Sequence, residues 1–144
     1  MFKHHAGQRI LTPHPGEFAR LVRSNAALVN RDRESLTVEL ARELGVVVVL
    51  KGPGTVVSDG QRIFVNQTGN NGLATGGSGD VLTGLMVGLL AQGMSAFEAA
   101  VLAVHVHGRA ADLAICSLSR RGLIASDLPE FIARVWAELE LGEP

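Results

Sequence analysis

The chain is 144 residues long and 47% hydrophobic, and its 13 basic and 14 acidic residues give a formal net charge of −1. This length and hydrophobic content predict one globular domain over residues 1–144 and exclude a disordered tail. The near-neutral charge, with no polybasic run, gives no electrostatic reason to expect nucleic acid or an anionic membrane as a partner.

Apolar runs and cysteine content narrow the class of protein further. Residues 46–50 and 85–91 are apolar, but each run is far shorter than the ~20 residues that a membrane-spanning helix needs. Residues 1–8 hold no signal-peptide core, so we expect a soluble, cytoplasmic protein. Cys116 is the single cysteine, which excludes an internal disulfide, and its apolar neighbours predict a buried side chain.

The first predicted elements are a short strand and a helix, joined by a proline-rich loop. The strand covers residues 9–12 and ends at Pro13, and the helix runs from Glu17 through about residue 23. His14 lies between two prolines, so its backbone is stiff. Its imidazole fits a contact with a ligand and also fits the cap of a local carbonyl. Glu17 fits a first-turn acid that suits the helix dipole, and we leave it out of the predicted site.

A second helix and a buried strand follow. Asn30 or Asp32 caps this helix, and Gly45 is well placed to end it. The apolar face of the helix consists of Leu36, Leu40, Ala41 and Leu44. Residues 46–50 are continuously apolar and mostly β-branched, which predicts a strand covered on both faces, as in a parallel sheet.

Lys51 comes directly after this strand, and the C-terminal edge of an open α/β sheet is where ligands bind. Gly52 and Gly54 let the backbone pass close to another group. Lys51 and Thr55 can therefore hold a phosphate or the ribose of a nucleotide. A plain turn carrying a solvated lysine is the alternative.

The rest of the chain predicts a hairpin and three helices. Residues 55–58 and 62–66 form the hairpin, with a two-residue turn at Asp59-Gly60. The helices start near Val81, after Ser95 and after Ser126-Asp127, and Gly93 ends the first of them. His105 and His107 are two residues apart on the middle helix and point in different directions, so no metal site is predicted.

Glycine is concentrated before the first of these three helices, because six of the chain's 17 glycines lie in residues 69–84. Gly76, Gly77 and Gly79 predict a tight loop with outward-facing amides. Such a loop at a helix N-terminus favours an anion, most naturally a phosphate. An ordinary surface turn capped by Ser78 is the alternative.

Asp80 makes this loop different from the two commonest phosphate-binding loops. A Walker loop needs a lysine where Asp80 stands, and the dinucleotide fingerprint needs a third glycine where Leu82 stands. A carboxylate close to a bound phosphate is electrostatically costly. It fits a base that acts on a hydroxyl, with a metal ion or a transferring proton between the two negative groups.

Residues 70–84, NNGLATGGSGDVLTG, resemble the signature of the ADP- or ATP-dependent NAD(P)H-hydrate dehydratases, which belong to the ribokinase-like superfamily. Residues 12–17 and 51–55 are similar to that family's other two motifs, in the same order. The resemblance implies an α/β, ribokinase-like layered fold, with a partly parallel sheet and flanking helices, of which this chain is the C-terminal portion.

The resemblance also implies a reaction and roles for residues. In this family ADP or ATP donates its terminal phosphoryl group to the C6 hydroxyl of hydrated NADH or NADPH, and phosphate is then eliminated. Asp80 would be the base and contact the substrate, and His14 would contact the hydrate. Mg²⁺ would accompany the nucleotide, although no cluster of protein ligands for it is visible. The residues implied in nucleotide binding are Lys51, Gly52, Pro53, Gly54, Thr55, Gly76, Gly77, Ser78 and Gly79.

The family's catalytic domain is considerably longer than this chain. We therefore expect a homo-oligomer or a missing N-terminal half to complete it. Two other functions remain open: a small-molecule kinase of the same superfamily, acting on a sugar or vitamin precursor, and a truncated, non-catalytic nucleotide-binding module.

Overall fold

A mixed four-stranded sheet lies at the centre of the structure, a computed structural model that describes residues 7–142. The strands are β1 (Ile10–Leu11), β2 (Val47–Leu50), β3 (Val56–Ser58) and β4 (Ile63–Val65), in that spatial order. β1 pairs with β2 in parallel, whereas the pairs β2–β3 and β3–β4 are antiparallel. The predicted partly parallel sheet is therefore confirmed. Most of residues 1–8, for which the sequence predicts no signal-peptide core, lies outside the described residues.

Six α-helices accompany the sheet within residues 7–142. They are α1 (Pro15–Leu21), α2 (Ala26–Arg31), α3 (Arg33–Leu44), α4 (Ser78–Ala91), α5 (Ala96–Ala114) and α6 (Leu128–Leu141). Short 3-10 turns precede α4 at Asn71–Leu73 and α6 at Ala125–Asp127. Over the described part of the chain, no helix combines the length and the apolar character that a bilayer crossing requires.

Strand β2 is buried on both faces, as its apolar run predicts, because its side chains alternate between two hydrophobic clusters. Val47 and Val49 pack against α4 and α5. Val48 and Leu50 pack against α1, α2 and α3 on the opposite face. α6 forms an outer layer against α5, through a third cluster that includes Val106. The sheet thus lies between two helical layers, and this fixes where β2 ends and α4 begins.

Local capping signals explain several helix ends. The side chain of Ser95 accepts a hydrogen bond from the backbone of Glu98 at the start of α5. Gly45 ends α3 with a φ of 65°, in the left-handed region that glycine adopts without strain. Both signals are visible in the sequence, and both predictions are confirmed.

Two local predictions are wrong. A six-residue helix, α2, precedes α3; it has Asn25 as its N-cap and is held by the buried side chain of Val29. The hairpin turn spans residues 59–62 rather than two residues, because Ser58 pairs with Ile63. The carboxylate of Asp59 accepts hydrogen bonds from two backbone amides within this turn, and these bonds stabilise the longer loop.

The prediction for Cys116 is also wrong, because its side chain is exposed. α5 ends at Ala114, so Cys116 lies in the following turn, where its apolar neighbours do not bury it. Its thiol donates only a weak hydrogen bond, 3.6 Å long, to the carbonyl of Asp112.

The segment after β4 packs directly on α5 at Gly108. The hydroxyl of Thr68 donates to the carbonyl of His105 at 2.9 Å, and the side-chain Nδ2 of Asn66 donates to the carbonyl of Val104 at 3.2 Å. A Cβ at position 108 would lie 2.3 Å from the Thr68 hydroxyl oxygen and 2.7 Å from the Thr68 carbonyl carbon. This close approach of two backbones requires glycine.

His107 connects the helical layer to the start of α4. Its side chain is buried, and its Nε2 lies 3.0 Å from the carbonyl oxygen of Ser78, the first residue of α4. Burial lowers the pKa of this imidazole, against a smaller opposite effect of the bond to Ser78. The neutral ring donates one N–H to the carbonyl and holds the helix start in place.

We expect Gly108→Ala to lower the free energy of unfolding by about 1–3 kcal/mol, because the added methyl group must displace the Thr68 backbone. Gly88→Ala is the matched control, since nothing lies within 4 Å of a Cβ on this exposed residue of α4. At position 88 the better helix propensity of alanine should raise the free energy of unfolding by about 0.5–1 kcal/mol. Urea unfolding measures both changes, and equal stabilities of the two variants would contradict the described packing.

His107 should also make stability depend on pH. Its folded pKa lies below the value of about 6.5 expected in the unfolded chain, so the unfolded state binds more protons as the pH falls below that value. The contribution of neutral His107 is therefore complete above about pH 6.5 and is lost as the pH falls through the folded pKa. Urea unfolding of His107→Gln should show a weaker loss of stability in acid than the unchanged chain, and an equal loss in both chains would contradict this contribution.

Candidate functional site

A cleft of about 520 Å³ lies at the C-terminal ends of the parallel strands β1 and β2. The amide of Lys51 donates to the carbonyl of Pro13 at 2.9 Å, and this bond holds the two strand ends side by side. The residues that line the cleft are Leu11, Thr12, Pro13, Glu17, Leu21, Lys51, Gly77, Gly79, Asp80 and Thr83. The cleft therefore brings together residues of all three sequence motifs, at the sheet edge where open α/β folds bind ligands.

Lys51 extends from the end of β2 towards the first turn of α4. Its Nζ atom lies 3.2 Å from the position that a Cβ on Gly79 would occupy, so the glycine makes room for the ammonium. Within residues 7–142, this ammonium has no hydrogen-bond or ion-pair partner. A cation beside the positive end of a helix is repelled unless an anion lies between them. The pair therefore favours an anionic ligand.

The start of α4 offers backbone donors to such an anion. The N-cap is Gly77, with a φ of 88°, so no cap side chain accepts from the first amides. The amide of Asp80 bonds the carbonyl of Gly77, but the amides of Gly77 and Gly79 donate to no other group in the described part of the chain. Free amides at a helix N-terminus bind phosphates and carboxylates.

Ser78, predicted to bind a nucleotide, has its side chain turned away from the cleft. The residue is 8% exposed, and its hydroxyl donates to the carbonyl of Leu73 at 2.7 Å. Its own carbonyl is the partner of His107. Ser78 thus anchors the start of α4 from inside the protein, and only its backbone belongs to the loop around the cleft.

Asp80 is exposed and lines the cleft. In the described residues its carboxylate has no hydrogen-bond or ion-pair partner, so it is free to accept a proton or a hydrogen bond from a ligand. Thr83 lies three residues further on the same face of α4 and also lines the cleft. Its hydroxyl donates to the carbonyl of Gly79 at 2.9 Å.

The remaining predicted nucleotide-binding residues lie beside the cleft rather than in its lining. Gly52 and Gly54 have φ values of 128° and 61° in the turn after β2, where the hydroxyl of Thr55 donates to the carbonyl of Gly52 at 2.9 Å. Pro53 lies in the same exposed turn, and Gly76 lies in the exposed turn before α4. Of residues 51–55, only Lys51 lines the cleft.

His14 caps α1 and is absent from the cleft lining. Its Nδ1 accepts hydrogen bonds from the amides of Gly16 and Glu17, at 3.0 and 3.2 Å. The carboxylate of Glu17 accepts in return from the His14 amide at 2.7 Å. The imidazole thus binds local amides rather than the local carbonyl considered from the sequence, and its side chain stays half exposed.

Glu17 and Thr83 line the cleft, although sequence reasoning left both out of the site. The hydrogen bond from the His14 amide holds the pKa of the Glu17 carboxyl below its usual value, against a smaller opposite effect of burial. The positive charges of Lys51 and Arg20 lower this pKa further. The spacing of each residue in the sequence could have indicated its place. Glu17 is three residues after the cap of α1, the position of a capping-box acid, and Thr83 is three residues after Asp80, on the same face of α4.

The side chains that line the cleft also indicate whether a metal ion could bind there. Among residues 7–142, no group of three or more His, Cys, Asp or Glu side chains is arranged to hold a metal ion. The carboxylates of Glu17 and Asp80 nevertheless face one cleft, so they are the oxygen donors available to a metal ion there. Mg²⁺ in nucleotide sites keeps several waters and binds one or two carboxylates plus phosphate oxygens, and this donor set fits that description.

Comparison with known proteins identifies similar sequences and folds. The family model described as NAD(P)H-hydrate dehydratase matches residues 2–134. The bifunctional NAD(P)H-hydrate repair enzyme of Moorella thermoacetica is 46% identical over 136 residues, which are 93% of this chain and 26% of that protein.

Two solved structures extend the comparison to the fold. An ADP/ATP-dependent NAD(P)H-hydrate dehydratase from Bacillus subtilis, co-crystallized with ATP/Mg²⁺, has a TM-score of 0.87 and 38% identity over 92% of this chain and 49% of its own. A ribokinase-like superfamily protein from Enterococcus faecalis has a TM-score of 0.70 and 29% identity over 87% of this chain and 44% of its own. The ribokinase-like fold expected from the sequence is thereby confirmed.

The chain spans about half the length of these solved structures and about a quarter of the length of the Moorella protein. The match to the family model nevertheless covers nearly all of this chain, including the three motifs that meet at the cleft. The chain belongs to the NAD(P)H-hydrate dehydratase family.

Proposed function

We propose that the chain takes part in the nucleotide-dependent dehydration of hydrated NADH and NADPH. ADP or ATP donates its terminal phosphoryl group to the C6 hydroxyl, and elimination of phosphate then restores the dihydronicotinamide. One observation carries the proposal: among residues 7–142, an ammonium without an ion-pair partner, helix amides without acceptors and an exposed carboxylate face a single cleft. The relative from Bacillus subtilis is named for this reaction.

Phosphoryl transfer depends mainly on positioning and on charge stabilisation. The amides of Gly77 and Gly79 and the ammonium of Lys51 supply fixed positive charge around one point of the cleft. Because these groups are held by the fold before a ligand binds, they need no reorganisation during the transfer. We assign them to the terminal phosphoryl group, and we assign the turn at residues 52–55 and the backbone of Gly76 and Ser78 to the rest of the nucleotide.

The acceptor lies on the other side of the phosphoryl group in this proposal. Asp80 accepts the proton of the C6 hydroxyl as the oxygen attacks phosphorus, so the departing nucleotide leaves with the electron pair of the broken P–O bond. His14 remains our choice for a contact with the hydrate, since its half-exposed imidazole lies 3.4 Å from Glu17, which lines the cleft. Asp80 acts as the base, so Glu17 is the cleft carboxylate that would hold Mg²⁺, which would neutralise phosphate charge when bound.

We also propose that the chain is the C-terminal half of a dehydratase domain and that further polypeptide, a second copy or an upstream half, covers its open surfaces. β1 lies at the edge of the sheet and is only two residues long. The outer face of α4 exposes small and apolar residues, namely Thr83, Gly84, Val87, Gly88 and Ala91. Val87, the large hydrophobic residue of this face, is 57% exposed. The complete enzyme would work in the cytoplasm, where both nucleotides are available.

Asp80→Asn should keep nucleotide binding and lose turnover by ~10²-fold or more, because an amide cannot accept the hydroxyl proton. Purified chain, or chain joined to an upstream half, is mixed with hydrated NADH, Mg²⁺ and ADP or ATP, and the return of NADH absorbance is followed. Nucleotide affinity is measured separately by calorimetry.

Thr83→Val is the matched control, since it changes a neighbouring residue of the cleft without removing the carboxylate. Unchanged turnover in Asp80→Asn would remove Asp80 from the role of base. A phosphorylated product without return of NADH absorbance would indicate a small-molecule kinase, and nucleotide binding without any product would indicate a non-catalytic module.

If a second copy covers the open surfaces, the isolated chain should form a homo-oligomer. If an upstream half covers them, the chain should gain turnover when the first half of the Bacillus subtilis dehydratase is added. Val87→Lys places a charge on the outer face of α4 and should weaken either association by about tenfold or more. Light scattering after gel filtration measures the mass against the 15.2 kDa of one chain. Leu141→Lys is the control, because Leu141 is 75% exposed at the far end of α6. A fully active monomer that is insensitive to Val87→Lys would contradict this proposal.

A further inference from the structure

Arg33, the first residue of α3, reaches from the helix to the turn that follows β2. Its Nη2 donates to the carbonyl oxygens of Leu50, Lys51 and Gly54, at 2.9, 3.2 and 3.3 Å. These acceptors are 17, 18 and 21 residues away in the chain, so the bonds are tertiary contacts and play no part in forming α3. One side chain thus binds three carbonyls around the residue that carries the cleft's ammonium.

The position of this guanidinium is costly for the fold. Its Nε is buried without a hydrogen-bond partner in the described part of the chain. Burial also lowers the pKa of Arg33, which reflects lost hydration of the charge. Burying a charged donor with one N–H unsatisfied is unfavourable, and such groups in folded proteins call for an explanation.

The turn is adapted to Arg33 as well. Gly52 has a φ of 128°, and a Cβ on it would lie 3.4 Å from Nη1 of the guanidinium. The backbone of Lys51 is held on both sides, since its amide donates to Pro13 and its carbonyl accepts from Arg33. With the carbonyls of Lys51 and Gly54 turned to Arg33, the amides of Gly52 and Gly54 have no acceptor among residues 7–142.

We propose that Arg33 is a positioning residue that sets the conformation of residues 51–55 and thereby directs the Lys51 ammonium at the start of α4. The consequence for nucleotide affinity rests on the proposed function. Arg33 itself is absent from the cleft lining, so it acts through the backbone it holds and not by contact with the ligand.

Arg42 provides a matched control on the same helix. Its Nε and Nη2 donate to the carbonyl of Gly60 at 3.2 and 3.0 Å, so it too connects α3 to the hairpin by arginine-to-carbonyl bonds. Gly60 lies in the turn between β3 and β4, at the opposite end of the hairpin from Lys51. Loss of Arg42 removes bonds of the same kind without touching the turn after β2.

The test compares Arg33→Met, Arg33→Lys and Arg42→Met in the full chain. Hydrogen exchange measured by NMR reports on the Lys51 amide, which donates to Pro13, and on the amides of residues 59–62, while calorimetry gives the dissociation constants of ADP and ATP with Mg²⁺. Arg33→Met should speed exchange of the Lys51 amide and weaken nucleotide binding, each by about tenfold or more, the scale of lost hydrogen bonds to a charged donor. Arg33→Lys should show a smaller effect on both, since an ammonium keeps part of the donor set. Arg42→Met should speed exchange only at residues 59–62 and keep the dissociation constant within about twofold.

Several outcomes would overturn the inference. Exchange of the Lys51 amide that is unchanged in Arg33→Met shows that the turn holds its shape without the guanidinium. Equal weakening of nucleotide binding by Arg33→Met and Arg42→Met shows a general loss of stability. Failure of the unaltered chain to bind either nucleotide contradicts the proposed function instead, and the exchange data then still decide whether Arg33 holds the turn.

Discussion

The site depends on an unfavourable juxtaposition of positive charge. The ammonium of Lys51 lies beside the N-terminus of α4, where the helix dipole is also positive, and such an arrangement costs on the order of 0.3–1 kcal/mol in an exposed position. The fold imposes it through hydrophobic burial on both sides. Val47 and Val49 fix β2, and Leu82 and Met86 fix α4 against the same cluster. An anion placed between the two positive groups turns their repulsion into attraction, which is why this arrangement favours a phosphate.

Helix α5 stabilises the other side of the glycine-rich segment with polar contacts that are buried or partly buried. His107 binds the carbonyl of Ser78 at the end of the segment. Asp112 accepts hydrogen bonds from the amide of Gly69 and from the side chain of Asn70, at 2.7 and 2.9 Å, near its beginning. A glycine-rich loop is intrinsically expensive to order, because glycine loses more backbone freedom than any other residue. These contacts at both ends explain how the loop amides can be fixed before a ligand binds.

Features determined by local chemistry are predictable from the sequence. The β-branched run at residues 47–50 predicts a strand, and Gly45 predicts the end of the helix before it. The glycines of residues 76–80 and the apolar helical pattern that follows predict a loop at a helix start. Tertiary packing decides the rest. α2 has only six residues and is held by the burial of Val29, and the cleft lining at Glu17 and Thr83 follows from which helices meet. The position of Ser78 likewise involves a tertiary contact, because its carbonyl is the partner of His107 on α5.

A bound phosphate and the carboxylate of Asp80 would repel each other if they were close together, and the geometry of α4 keeps them in different directions. Free amides at a helix start point along the axis, so the donors at Gly77 and Gly79 face a ligand beyond the end of α4. Side chains point outward from the axis, and Asp80 and Thr83 share one face of the helix. The phosphate and the carboxylate can therefore occupy the same cleft in different directions, with an acceptor hydroxyl between them. A lysine at position 80, as in a Walker loop, would strengthen phosphate binding and leave that hydroxyl without a base.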